Sequence, residues 1–221
     1  MVESPELRWS FIRTIYTIIS IQLLLTVAVS AVFISFRDSV SQFAFSSALN
    51  FCVSACLIVF PPSFLWPLFC FRYRHPMNLL LLGLFTLTVS LSTGLACAMT
   101  SGEIILVAAI LTSVVVLSFT LYTFWAAKRG HDFTFLGPLL LAALIILLLF
   151  GHIRIVHPMG RVTTMIYGGL SVLVFSIYII YSTDELIKRF KYEEYVWAAV
   201  GMYLNFINLF MSLVTILTHS C

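Results

Sequence analysis

Residues 104–127 read IILVAAILTSVVVLSFTLYTFWAA and carry no charged side chain. The hydrocarbon core of a bilayer is about 30 Å thick, and an α-helix of about 20 apolar residues crosses it. The run is continuous rather than alternating, which is typical of a transmembrane helix and not of a strand in a membrane β-barrel. Lys128 follows directly, where the dipole at a helix C-terminus favours a cation. This stretch therefore predicts a helix that crosses a membrane.

Six further uncharged runs have the same character. They comprise residues 14–36, 43–71, 76–100, 133–150, 162–181 and 195–218. The 221-residue chain is 61% hydrophobic and 10% charged, which is far too apolar for a soluble domain. In lipid the backbone N–H and C=O groups must hydrogen-bond to each other, and a helix pairs them within one segment. Because the connections between the runs are also short, the sequence predicts an all-α membrane protein. We expect a seven-transmembrane-helix bundle in which residues 1–221 form a single integral membrane domain.

The second run is longer than a membrane requires, and it contains Pro61, Pro62 and Pro67. Proline removes a backbone donor and crowds the preceding turn, so a kink or break is expected in this run. Two interpretations stay open at this point. One is a long helix that bends to fit the membrane, and the other is a hinge beside a pore.

Lysine and arginine are distributed unequally between the two sides of such a bundle. Nine of the 12 fall on the side of the N-terminus: Arg8, Arg13, Arg72, Arg74, Lys128, Arg129, Lys188, Arg189 and Lys191. The other side holds Arg37, Arg154 and Arg161. Because cytosolic loops carry the excess of positive charge, the N-terminus is predicted to be cytosolic. The net charge of +3 is small and scattered, which argues against a nucleic-acid partner and leaves the lipid bilayer as the predicted surrounding.

Uncharged polar side chains concentrate around the last two runs. Ser182 follows the sixth run, Asn205 lies inside the seventh, and Asn208 is about one turn further along on the same face. If the sixth helix continues past Tyr181, an antiparallel neighbour can bring Ser182 and Asn205 together. The pair is then either an interhelical hydrogen bond that holds the helices together or part of a gate or pore.

The charged and histidine side chains form no pattern typical of a catalytic or metal site. The segment 184–194, which begins with Asp184, is expected to be a solvated cytosolic turn. His152 and His157 lack a third ligand, so no metal site is predicted. Ala198 stands where a Glu-Glu-x-x-x-Arg protease motif would need arginine, and the motifs of aspartyl, rhomboid and zinc intramembrane proteases are absent. The sequence thus predicts neither an enzyme nor a cofactor.

Several short motifs resemble those of the Bax inhibitor motif superfamily, and within it the lifeguard branch, especially the plant lifeguard proteins. The resemblance covers residues 7–216. Its motifs are HPMN at 75–78, FT at 85–86, YTFWAAKRGHDF at 122–133, FLGP at 135–138, IYGG at 166–169, WAA at 197–199, YL at 203–204 and INLF at 207–210. The combination is specific, although each motif alone is weak.

The resemblance implies a seven-helix bundle in endomembranes, suppression of programmed cell death and a part in calcium homeostasis. In bacterial relatives it implies a pH-sensitive calcium leak linked to two aspartates, one on helix six and one on helix seven. Two close carboxylates in a low dielectric cannot both ionise easily, and proton loss would loosen the packing. In this chain Ser182 and Asn205 occupy the two positions, and neither side chain titrates between about pH 5 and 8.

The resulting hypothesis is a multi-pass endomembrane protein of the ER, Golgi or vacuole rather than the plasma membrane. It would suppress programmed cell death and influence calcium homeostasis without a proton-switched leak. One alternative is a calcium leak channel gated by other groups, for which Asp184 and Asn208 are supporting residues. The other is a non-conducting membrane adaptor that binds membrane proteins. Calcium enters these hypotheses as a candidate permeant ion and not as a cofactor.

Overall fold

A computed structural model describes residues 5–46, 61–71, 74, 77–157, 160–190 and 194–220. All regular structure in these residues is helical, and a 3-10 helix covers Pro61–Phe64. The α-helices are α1 (Pro5–Ser35), α2 (Arg37–Phe45), α3 (Leu65–Cys70), α4 (Met77–Ala98), α5 (Gly102–Lys128), α6 (Leu136–Val156), α7 (Arg161–Lys188) and α8 (Tyr195–Ser220). The prediction of an all-α membrane protein is therefore confirmed for the described part of the chain.

Six of these helices are long and apolar enough to cross a membrane: α1, α4, α5, α6, α7 and α8. The predicted span 43–71 includes residues 47–60, which lie outside the described residues. The prediction of seven spans therefore stays a prediction. Near Pro61 the described backbone is a 3-10 helix that becomes α-helical at Leu65, so the proline pair lies in 3-10 rather than α-helical backbone.

Two helices extend well beyond the uncharged runs that predicted them. The first starts at Pro5 instead of residue 14, and α7 ends at Lys188 instead of residue 181. Both added stretches contain charged residues, and Lys, Arg and Glu are good helix formers. A run without charges marks the uncharged part of a helix and leaves out its charged ends. The extension of α7 matters because it carries Ser182 and Asp184.

The exposed surface of α5 is characteristic of a helix that faces lipid. Five apolar side chains along it are each more than half exposed: Leu106, Ile110, Val114, Leu117 and Leu121. In water so long an apolar face would be a liability, whereas hydrocarbon chains cover it without cost. The structure thus fits an integral membrane protein.

The chain divides into two compact units, and the first comprises Met1–Gly102 with Lys191–Tyr203. Within it α1 packs along α4, and the buried side chains include Ile15 and Phe85. The Phe85 ring meets the Tyr203 ring edge to face at 6.3 Å between centroids. Arg37 donates to the carbonyls of Ala98 and Thr100, which satisfies acceptors left open at the C-terminus of α4.

The second unit comprises Glu103–Phe190 with Leu204–Cys221. Here the rings of Phe150 and Tyr167 stack at 5.7 Å between α6 and α7. Gly168 lets α7 approach α8 closely: a Cβ at this position would lie 2.7 Å from Ile216 Cγ1 and 3.4 Å from the Ser212 carbonyl oxygen. Small residues at such crossings are the usual means by which membrane helices pack. The close α7–α8 contact positions the candidate site described below.

Replacing Gly168 with alanine is expected to lower the free energy of unfolding by about 1–2 kcal/mol, since the new methyl group overlaps Ile216. Gly169 is a matched control because a Cβ there would meet nothing within 4 Å. We expect Gly169→Ala to be neutral or stabilising by up to about 1 kcal/mol, the helix preference for alanine over glycine. Thermal unfolding in detergent measures both. Equal effects of the two substitutions would contradict the close α7–α8 contact.

Candidate functional site

Ser182 and Asn205 meet between α7 and α8. Asn205 Nδ2 donates a hydrogen bond to Ser182 Oγ over 2.7 Å. The Ser182 hydroxyl in turn donates to the Tyr178 carbonyl oxygen over 2.8 Å, one turn back on its own helix. The contact exists because α7 continues as a helix past Tyr181, which was the condition for the predicted pairing. Asn205 is buried and Ser182 is partly buried.

The two supporting residues lie apart from this hydrogen bond. Asn208 is one turn beyond Asn205 on α8, is partly buried, and its carbonyl accepts from Ser212 Oγ at 2.6 Å. Asp184 is two residues from Ser182, about 200° around the helix. Its carboxylate accepts the Phe133 N–H over 3.2 Å and lies 2.5 Å from Lys188 Nζ. Its described contacts are therefore with the α5–α6 connection and with its own helix.

Asp184 also corrects one expectation from the sequence. Only 3% of the residue is exposed, and it lies within α7, so the solvated turn predicted to begin at Asp184 is wrong at that end. A buried carboxylate is tolerated only when it is paired and hydrogen-bonded, and Lys188 and the Phe133 N–H supply these partners. Its position at the end of an uncharged run gave no indication of burial, because the partner N–H belongs to a distant connection.

The connection between α5 and α6 is fixed against the end of α7. Lys188 Nζ donates to the His131 carbonyl oxygen and lies 3.8 Å from the Asp132 carboxylate. Arg189 Nη2 donates to Thr134 Oγ1 over 2.6 Å. Asp132 accepts from the Thr134 hydroxyl and N–H, and these hydrogen bonds hold the pKa of Asp132 below its usual range. Together with Asp184 these residues define a latch, which ties the 131–134 segment to α7.

The chemistry of the Ser182–Asn205 pair is that of an uncharged clamp. A hydroxyl and a carboxamide can hold two helices together, but neither changes protonation between about pH 5 and 8. Among the residues that the structure describes, no three His, Cys, Asp or Glu side chains converge on one point. The arrangement joins α7 to α8 without supplying a charge that a pH change near neutrality could alter.

The strength of this clamp can be measured with a double-mutant cycle. Ser182→Ala and Asn205→Ala are each expected to destabilise the protein, and together by less than the sum of the two. Interhelical hydrogen bonds in membranes average about 0.6 kcal/mol and reach about 1.7 kcal/mol, so the coupling energy should lie in that range. Ser176→Ala in the same helix is a useful control when combined with Asn205→Ala. Additive effects of Ser182→Ala and Asn205→Ala would show that the hydrogen bond does not contribute.

A second polar cluster lies inside the first unit and was not predicted from the sequence. Its members are Gln22, Thr26, Thr86, Ser90 and Tyr203, all buried and joined by hydrogen bonds. A signal was present in the sequence, because polar residues recur every four positions in two of the apolar runs. Such spacing places the side chains on one face of each helix.

The lipid-facing helices, with a polar clamp between the last two, are those of an integral membrane protein. Sequence comparison defines its family. The model of the family described as "Inhibitor of apoptosis-promoting Bax1" matches residues 8–220. The chain is 54% identical to Protein LIFEGUARD 2 of Arabidopsis thaliana, over 98% of this chain and 90% of the relative. Protein LIFEGUARD 4 of the same plant is 53% identical, over 98% and 87%.

The family extends beyond plants. The Golgi anti-apoptotic protein of vaccinia virus (strain Lister) is 35% identical, over 98% of this chain and 88% of the viral protein. Each of these matches covers nearly the whole of both aligned sequences. The chain belongs to the Bax inhibitor family, and the lifeguard proteins are among its relatives, in agreement with the resemblance drawn from the sequence motifs.

Proposed function

We propose that this protein suppresses programmed cell death from within an endomembrane of the ER, Golgi or vacuole. The names of its relatives support the proposal, since one is an anti-apoptotic protein of the Golgi and the family is described as inhibitors of an apoptosis-promoting protein. The protein is a regulator rather than an enzyme. It crosses the membrane seven times as a single domain with a cytosolic N-terminus, an orientation that the distribution of lysine and arginine supports.

The Ser182–Asn205 hydrogen bond is the observation that carries the mechanistic part of the proposal. These residues occupy the positions at which the resemblance implies two aspartates. A neutral clamp holds α7 against α8 at every physiological pH, so the protein lacks the proton-switched calcium leak. Its part in calcium homeostasis is then indirect, as a non-conducting adaptor that acts through membrane-protein partners.

A second candidate function is a calcium leak gated by other groups, and the burial of Asp184 favours it. This carboxylate is almost fully buried and ion-paired at the end of α7. Charged residues at such positions in membrane proteins often belong to ion pathways. In this alternative the latch is the gate, and Asp184→Asn abolishes the calcium flux. A flux that survives Asp184→Asn unchanged would rule the alternative out.

Expression in plant cells exposed to an inducer of programmed cell death tests the proposed function. The natural protein is expected to raise the surviving fraction above that of cells with an empty vector. A fluorescent tag on the C-terminus locates the protein, and equal survival with the protein present in endomembranes would contradict the proposal. Ser182→Ala plus Asn205→Ala is the matched variant, because it removes the clamp and introduces no charge.

A further inference from the structure

The polar cluster of the first unit lies deep within the membrane-spanning helices. Gln22 is near the middle of the Arg8–Ser35 stretch of α1, and Thr86 and Ser90 are near the middle of α4. Gln22 is 4% exposed and Thr86 is 2% exposed. Polar groups at this depth are costly and commonly mark the binding or passage of a solute.

The hydroxyl protons of this cluster are directed mainly toward the backbone. Thr26, Thr86 and Ser90 each donate to the carbonyl oxygen four residues earlier in their own helix, over 2.7–2.8 Å. The lone pairs of the three hydroxyl oxygens therefore face the interior of the cluster. Gln22 Nε2 donates to Thr86 Oγ1 over 2.8 Å, and the Tyr203 hydroxyl is 2.8 Å from Thr26 Oγ1.

Donors are consequently fewer than acceptors. Thr26 Oγ1 and Ser90 Oγ lie 3.0 Å apart, although both protons are already engaged with backbone carbonyls. Gln22 Oε1 is buried and has no hydrogen-bond partner among the described atoms. The amide is held in the cluster by its Nε2, so the unpaired oxygen belongs to the same group of acceptors. A buried acceptor without a donor is unfavourable, which indicates that an electropositive ligand completes the cluster.

We propose that these oxygens form a binding site for one alkali-metal cation. The site offers amide and hydroxyl oxygens and no carboxylate, since every member of the cluster is neutral. Calcium sites in proteins usually include carboxylates, whereas neutral oxygens are sufficient for potassium and sodium in membrane proteins. The site is distinct from the Ser182–Asn205 clamp and does not depend on the proposed function.

Ion-dependent thermal stability of the purified natural protein in detergent tests the proposal. The protein is heated in about 150 mM potassium chloride, sodium chloride or N-methyl-D-glucamine chloride, which keeps the ionic strength constant. A ligand that binds only the folded state raises the unfolding temperature, here by about 3 °C in potassium or sodium relative to the organic cation. Equal unfolding temperatures in all three salts would overturn the proposal and leave a hydrated or empty cluster.

Two variants of Gln22 assign the effect to this cluster. Gln22→Leu removes the unpaired oxygen and should abolish the difference between salts, whereas Gln22→Glu keeps the size, adds a negative charge and should enlarge it. Thr88→Val is the matched control, because Thr88 makes the same bond to a carbonyl four residues earlier, over 2.8 Å, but is only partly buried and is not a member of the cluster. Its ion dependence should equal that of the natural protein. An ion effect that neither Gln22 variant changes would place the ion elsewhere and overturn the assignment.

Discussion

The double substitution Ser182→Asp plus Asn205→Asp is expected to make the protein's stability fall by about 4 kcal/mol as the pH rises from about 4 to about 8. Asn205 Nδ2 and Ser182 Oγ are 2.7 Å apart in the natural protein, so the new carboxyl groups would be neighbours at a site where Asn205 is buried and Ser182 is partly buried. They cannot both ionise there, and the folded state keeps a proton that the unfolded chain releases. Because the folded state then binds more protons, stability decreases with rising pH.

Unfolding temperatures measured across this pH range test the prediction. Each single substitution places one carboxyl group beside a neutral hydrogen-bonding partner and should give a smaller decrease. The natural protein measures the pH dependence of stability that comes from the other titrating groups, which all four proteins share. If the decrease in stability of the double variant equals the sum of the decreases of the single variants, the two side chains are too far apart to interact. That result would contradict the Ser182–Asn205 clamp.

Replacing Asp184 with alanine is expected to lower the free energy of unfolding by about 2–3 kcal/mol. The substitution leaves Lys188 without its closest partner and the Phe133 N–H without its acceptor. Breaking a fully buried ion pair costs about 3–5 kcal/mol. The value is reduced here because the Lys188 side chain is 28% exposed and has other oxygens nearby. Asp184→Asn keeps an acceptor for the Phe133 N–H and should cost about half as much.

Asp132 provides the matched control for Asp184. Its carboxylate approaches the same Lys188 Nζ at 3.8 Å, but its side chain is 61% exposed. We expect Asp132→Ala to lower the unfolding temperature far less than Asp184→Ala, since exposed ion pairs contribute little. Comparable losses for Asp132→Ala and Asp184→Ala would show that burial does not distinguish the two carboxylates, and would contradict the larger role given to Asp184.

The membrane-spanning helices could be predicted from the sequence because lipid selects for long uncharged runs. The ends of the helices could not be predicted in this way. The last turns of α7 are helical but charged, so its apolar run ends at residue 181 while the helix continues to Lys188. The approach of Ser182 to Asn205 followed from their spacing once the helix was allowed to continue.

The burial of Asp184 had no comparable signal in the sequence. Its partner Phe133 is 51 residues away, in a connection whose position depends on the packing of two helices. The Gln22 cluster was missed for a related reason. Its polar side chains are diluted among apolar ones, and only the packing of α1 on α4 brings Gln22 and Thr86 into contact.

Calcium efflux from proteoliposomes between pH 6 and 8 tests the central claim, that a neutral Ser182–Asn205 clamp takes the place of a proton switch. Proteoliposomes with the natural protein are expected to release calcium no faster than empty liposomes at any pH in this range. The Ser182→Asp plus Asn205→Asp variant should gain an efflux that rises with pH. A natural protein whose efflux already increases between pH 6 and 8 would contradict the account, and the switch would then have to be sought at Asp184.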